Sequence, residues 1–273
     1  MENFGEEFFA RPEYQVINDL VQNPDVSPAE AVQRLLRVRE ALHREGREPP
    51  TDIDGTHTWI AMLTVVEFAN ITPAAQQHKL IDFIAHLQRT EVIDPATGEV
   101  PTSVGQKLWT ELPYLGVYLA DMYGFAYKPE YARQADEDPQ REYPPKELQE
   151  WENLNAFMAQ ITAKADHLNH AMDASLYALY ACRETFEESD PVVEEAVRAS
   201  CIWYIYAGQR IWENCQVQRQ LGDDGSPRRR FTMERWRIWK DGVKAAQLQF
   251  PRASTQEMIQ KALAEIEKAE RGE

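Results

Sequence analysis

Between Ala199 and Cys215 the chain reads ASCIWYIYAGQRIWENC. This stretch constrains the fold more than any other. Turned at about 100° per residue, it presents no clear polar face, and it lacks the two-residue alternation of a half-buried strand. A helix that is apolar all round has to be surrounded by other helices. The reading that follows is an all-α protein, an orthogonal bundle of about ten helices around a central apolar helix spanning 191–220.

The rest of the chain agrees with this. Ser27-Pro28-Ala29-Glu30 is a capping box with proline at the first helical position. Ser103 with Gln106, and Ser254 with Glu257, repeat the box, while Thr72-Pro73, Asp190-Pro191 and Thr232 are further start signals. Apolar residues recur with helical spacing after each. The pattern predicts helices over roughly 13–22, 28–45, 56–70, 73–90, 104–123, 145–164, 170–187, 191–220, 232–248 and 255–270. Pro113 should kink the fifth. Strand signal is thin: Val92, Ile93 and Val100 flank a turn over 94–98 and suit a short hairpin at most. The segment 128–144 is acidic and proline-rich and reads as an exposed linker. We expect a single domain over 1–273, with layers 1–127 and 145–273 on either side of that linker.

Composition narrows the function classes. The net charge is −16, which repels phosphate backbones and anionic lipid, so neither nucleic acid nor membrane is an expected partner. No apolar run reaches the length of a membrane span. The first residues carry neither a basic nor an apolar leader segment, so no signal peptide is expected. Three cysteines, Cys182, Cys201 and Cys215, all fall in helical patterns. Cys201 and Cys215 lie roughly 21 Å apart on one helix, too far for a disulfide. Such a set fits a reducing, cytoplasmic setting.

Four groups of residues are candidates for chemistry. Trp203, Tyr206, Arg210 and Asn214 recur at steps of three and four on the central helix. They suit an aromatic-walled pocket in which Arg210 grips a carboxylate or enolate; the structural alternative is an internal ion pair with Glu213, Glu184, Asp173 or another carboxylate. Glu67 sits in the apolar run WIAMLTVVEFA, a setting that raises a carboxyl pKa and suits an acid or base; an arginine across the core or a solvated edge is the alternative. Tyr114, Tyr118 and Asp121 share a face of the predicted fifth helix and suit positioning of a proton or a ligand hydroxyl, or else ordinary core tyrosines with rim hydroxyls. His167, His170 and Asp173 have a spacing that suits a metal, but no second ligand motif complements them, and helix-end capping is the plainer reading. His78, Asp82 and His86 fall on the solvent face of their helix. The run Arg228-Arg229-Arg230 with Arg235 and Arg237 is the one cationic island, read as a solvated loop or a dock for a phosphate or an acidic partner.

The stretches WENLNAFMAQIT from Trp151, SLYALYACRETFEE from Ser175, ASCIWYIYAGQRIW from Ala199 and RWRIWKDGVKAA from Arg235 resemble a fungal family known as domain of unknown function 3632. The resemblance covers roughly residues 151–246. It implies a filamentous-fungal origin and, for some members, neighbourhood to secondary-metabolism genes. It carries no catalytic residue across. No phosphate-binding loop, dinucleotide fingerprint, zinc-protease motif or nucleophile elbow is present, so no cofactor is expected. Three functions remain: an enzyme or binding protein for a small molecule with an internal aromatic pocket, a protein-interaction module, or a metal enzyme using His167 and His170.

Overall fold

The computed structural model describes residues 5–94, 97–125, 145–165, 170–189, 191–222 and 225–272. The all-α expectation holds: the described residues form eleven α-helices and one two-stranded sheet. The chain groups into two compact units, Met1–Phe125 with Asp166–Met172 and Ala126–Ala165 with Asp173–Glu273. The predicted linker 128–144 lies outside the described residues.

The first unit contains α1 (Glu6–Phe9), α2 (Pro12–Gln22), α3 (Pro28–Glu45), α4 (Pro50–Ile71), α5 (His78–Gln88) and α6 (Leu115–Phe125). Its axis is α4, which packs against α2, α3 and α6. From Ile60 to Ala69 every residue of α4 is buried. The Ser27 hydroxyl accepts from Glu30 N–H at 3.2 Å, as the capping box requires. Lys79 on α5 donates to the carbonyls of Leu20, Asn23 and Pro24, the orphaned acceptors at the end of α2.

The predicted helix over 104–123 is a correction. Its first half is a hairpin, β1 (Thr102–Ser103) against β2 (Gln106–Lys107), with Ser103 opposite Gln106. Val104 and Gly105 both have positive φ, 48° and 77°, the backbone of a two-residue type I′ hairpin turn. What looked like a capping box is a turn, because Ser-x-Gly-Gln serves either and the glycine decides. The hairpin lies at 102–107, not around the turn at 94–98. Leu112 and Tyr114 are also at positive φ, 46° and 67°, so the helix starts only at Leu115 and Pro113 precedes it rather than kinking it.

The second unit contains α7 (Pro145–Lys164), α8 (Ser175–Arg183), α9 (Glu194–Gln216), α10 (Met233–Gln249) and α11 (Ala253–Arg271). A π-helical turn, Glu184–Glu188, extends α8. Helix α9 packs against α7, α8, α10 and α11. It breaks its helical dihedrals at Ala207 (φ −136°, ψ 21°). Trp203, Tyr204, Ile211 and Cys215 are buried, but Gln209 and Gln216 are exposed and Tyr206, Arg210 and Glu213 half-buried. One flank therefore meets solvent, which the wheel drawn from the sequence did not show. The N-cap of α11 is Arg252, without a side-chain cap, so the predicted Ser254 box does not form; Thr232 does cap α10, accepting from Arg235 N–H at 3.1 Å. The start signal at Asp190 lies outside the described residues.

All three cysteines are free and buried in this unit. Burial pushes the thiols of Cys182 and Cys215 up to about 12, and that of Cys201 higher still. With a pKa that high, the thiolate fraction near neutral pH is on the order of one in ten thousand or less. Ellman's reagent is expected to titrate none of them in the native protein and all of them in guanidinium; rapid native reaction of any one would contradict this burial.

Candidate functional site

The residues singled out on α9 do not converge. Trp203 is fully buried and donates Nε1–H to Asn155 at 2.9 Å. Asn214 belongs to a closed polar ring: its Nδ2 donates to Ser175 Oγ (3.0 Å), Ser175 Oγ donates to Asp173 (2.5 Å), and Arg219 bridges Asp173 (2.5 Å) and Asn214 (3.3 Å). Arg210 donates to the carbonyl of Ala165, just past the end of α7, and pairs with Glu213 at 3.6 Å. Of the three carboxylates anticipated for it, Glu213 is the one found, and Asp173 pairs with Arg219 instead. The guanidinium is thus committed to a helix end and a neighbouring acid.

In the first unit Glu67 is buried on α4. Tyr114 precedes α6, and its ring lies 6.4 Å from that of Tyr118. Asp121 is exposed. Burial, with Tyr114 and Asp121 nearby, raises the Tyr118 phenol well above its ordinary value, so it keeps its proton and makes a poor base.

The remaining candidates resolve structurally. His78 and His86 are exposed. His167 lies outside the described residues, and His170 accepts Met172 N–H on Nδ1 at 3.1 Å. Among the described residues no group of three His, Cys, Asp or Glu is placed to hold a metal ion. The arginine run is tied down rather than loose. Arg235 donates to the carbonyls of Pro227, Arg228 and Arg230, Arg228 pairs with Glu188 at 2.7 Å, and Arg230 donates to Gln220 at 3.1 Å.

Sequence reasoning passed over the group with the most unusual chemistry. Glu13 enters at the first turn of α2, where the helix N-terminus favours an anion. Arg11, just before the helix, donates to both its oxygens at 3.3 and 3.1 Å. On α4, His57 places Nδ1 3.0 Å from Glu13 Oε1. Glu13 and His57 are both fully buried. Burial works to raise the Glu13 carboxyl, but the bond to His57 and the nearby positive charges outweigh it and hold the carboxyl below the ordinary value. Against a carboxylate, which only accepts, Nδ1 is the donor of that hydrogen bond, and Nε2 is left on the far side of the ring.

That Nε2 has no hydrogen-bond partner among the described residues, and neither does Trp109 Nε1 or Ser103 Oγ, all three buried. Trp109 stands edge-on to His57, ring centroids 5.6 Å apart. Ser103 is the buried residue of β1, a strand that packs on α4. Three other buried hydroxyls are satisfied: Thr58 and Thr64 bond back to carbonyls of their own helix, and Ser200 to Ala181 and Thr185. A buried polar atom without a partner costs about 1–3 kcal/mol. Unpartnered groups on packed, neighbouring elements, beside residues held at positive φ, mark a place adapted to something other than stability. No local pattern announces the dyad, because Glu13 and His57 are 44 positions apart. The sequence hint was a histidine one turn after Asp54, opening an apolar helix.

The fold and these groups define a helical protein with a buried, carboxylate-oriented histidine. The profile of a family described as protein of unknown function DUF3632 matches residues 59–243. The chain belongs to that family. Ser103, Trp109 and the α9 residues fall inside the matched stretch, and Glu13 and His57 outside it. No curated protein and no solved structure matches the chain. Among the described residues, no helix is long and apolar enough to cross a membrane.

Proposed function

We propose that the protein binds a small neutral molecule inside its first unit, at His57 and Trp109, and that His57 takes a proton from it. The observation that carries this reading is the pair of buried, unpartnered nitrogens, one set on a carboxylate. An indole N–H donates only, and an imidazole whose Nδ1–H is committed to Glu13 accepts at Nε2. A hydroxyl group complements both at once. Glu13 then stabilises the imidazolium that forms. The aromatic pocket foreseen around Arg210 has weaker support, since that guanidinium already has two partners. A metal-dependent role has none among the described residues.

A ligand site has to open to small molecules even when its side chains are covered. Diethyl pyrocarbonate, a small electrophile that acylates imidazole, tests this. Peptide mapping is expected to show His57 modified faster than the amides of α4 exchange with solvent, after the exposed His78 and His86. If His57 reacts only as fast as those amides exchange, the reading fails.

A further inference from the structure

We propose that Ser103, His57 and Glu13 form an acyl-transfer site, with Trp109 donating to the developing oxyanion, and that its substrates are small neutral esters. This rests on the reading of the His57 site given above. Each of the three unpartnered groups then has a distinct role: a hydroxyl, a base and a hydrogen-bond donor.

The placement comes from the hairpin. Thr102 is exposed and Ser103 is buried, so the strand turns Ser103 inward. The strand packs on α4, the helix that carries His57. Leu108 N–H donates to Pro101 O at 3.0 Å, which folds the Trp109 segment back to the start of the same strand, and Trp109 reaches the His57 ring. Val104, Leu112 and Tyr114, all at positive φ, punctuate this segment. Such backbone is strained for a residue other than glycine and persists where the surroundings enforce it. Ser103 Oγ makes no hydrogen bond to His57 Nε2 in this structure; catalytic hydrogen bonds often close only when substrate is bound.

In the step, Ser103 Oγ forms a bond to the ester carbonyl carbon while its proton passes to His57 Nε2. The carbonyl electron pair moves to oxygen, which accepts the Trp109 N–H. The intermediate collapses, the carbon–alkoxide bond breaks, and the alkoxide leaves as alcohol with the proton from Nε2. Water repeats the sequence on the acyl-serine and releases the acid. Arg11 is engaged by Glu13, so no free cation is offered to an anionic substrate there, and a net charge of −16 repels one.

The test treats the full chain with diisopropyl fluorophosphate, maps the adduct by mass spectrometry, and measures nitrophenol release from p-nitrophenyl acetate. One adduct on Ser103 is expected, absent in Ser103→Ala, and formed about 100-fold or more slowly in His57→Gln. Trp109→Phe is expected to slow ester hydrolysis while the far-ultraviolet circular dichroism stays unchanged. Ser103→Ala removes an unpartnered hydroxyl, so its melting temperature should match or exceed that of the parent. An unlabelled Ser103, or labelling at an unchanged rate in His57→Gln, overturns the proposal. If His57 still reacts with diethyl pyrocarbonate, that result sinks acyl transfer alone; if it does not, binding and acyl transfer fall together.

Discussion

Asp54→Ala is expected to destabilise the first unit by about 3–5 kcal/mol, the usual cost of stranding a buried charge. Arg39 on α3 grips both oxygens of Asp54 at 2.7 and 2.8 Å, and His43 adds a third contact at 2.7 Å. The Arg39 and Asp54 side chains are only 8% and 4% exposed. Without the carboxylate the guanidinium stays buried with nothing to balance it. Arg39→Met combined with Asp54→Leu should be far milder, because apolar groups of similar volume remove both charges together. Urea unfolding of the three variants measures this; a double variant as unstable as Asp54→Ala would show that shape and not charge is responsible. The same pair makes the unit acid-sensitive. Burial works to raise the Asp54 carboxyl, yet the bonds from Arg39 and His43 hold it below its ordinary 3.8, as Glu13 is held below 4.5. A depressed native pKa means that the unfolded chain binds protons first as the pH falls. The stabilisation is therefore complete above about pH 4.5 and drains away as pH falls through the lower native values. Asp54→Asn should flatten part of that loss.

Gly242→Ala is expected to cost the second unit about 1–2 kcal/mol even though alanine is the better helix former. A Cβ at Gly242 would lie 2.3 Å from Phe186 Cδ1 and 2.8 Å from Cγ. Phe186 sits in the π-helical turn, and α10 fastens that turn through the same face. Arg235 reaches Glu187 at 3.2 Å and Trp239 donates to it at 2.7 Å. Overpacking costs about 1–3 kcal/mol, offset by up to about 1 kcal/mol of helix propensity. Gly55 on α4 supplies the control: nothing lies within 4 Å of its would-be Cβ, so Gly55→Ala should stabilise by roughly 0.5–1 kcal/mol. Adding Phe186→Leu to Gly242→Ala should recover part of the loss. Equal, stabilising effects at both glycines would show that the Phe186 contact carries no energy.

Helix existence was legible because it depends on residues three and four apart, which the sequence shows directly. α7 runs from Pro145 to Lys164, the range predicted for it, and Ser27 and Thr232 cap their helices as their side chains dictate. Residues 103–106 were misread because a capping box and a type I′ turn use the same letters. Positive φ at Val104, Leu112 and Tyr114 is a property of the packed chain that neither valine, leucine nor tyrosine favours by itself.

Which polar groups meet was decided only in three dimensions. Of the four residues the wheel grouped on α9, Trp203 and Asn214 are buried and Tyr206 and Arg210 half-buried, and nothing local shows that Asn155, Ser175 and Ala165 supply the partners. Glu13, His57, Ser103 and Trp109 belong to separate elements that become neighbours when α4 is enclosed by α2 and the hairpin. Periodicity encodes the face a side chain presents, since that follows from helical geometry within one segment. The partner across the interface follows from packing between segments distant in the chain, and no single-segment pattern contains it.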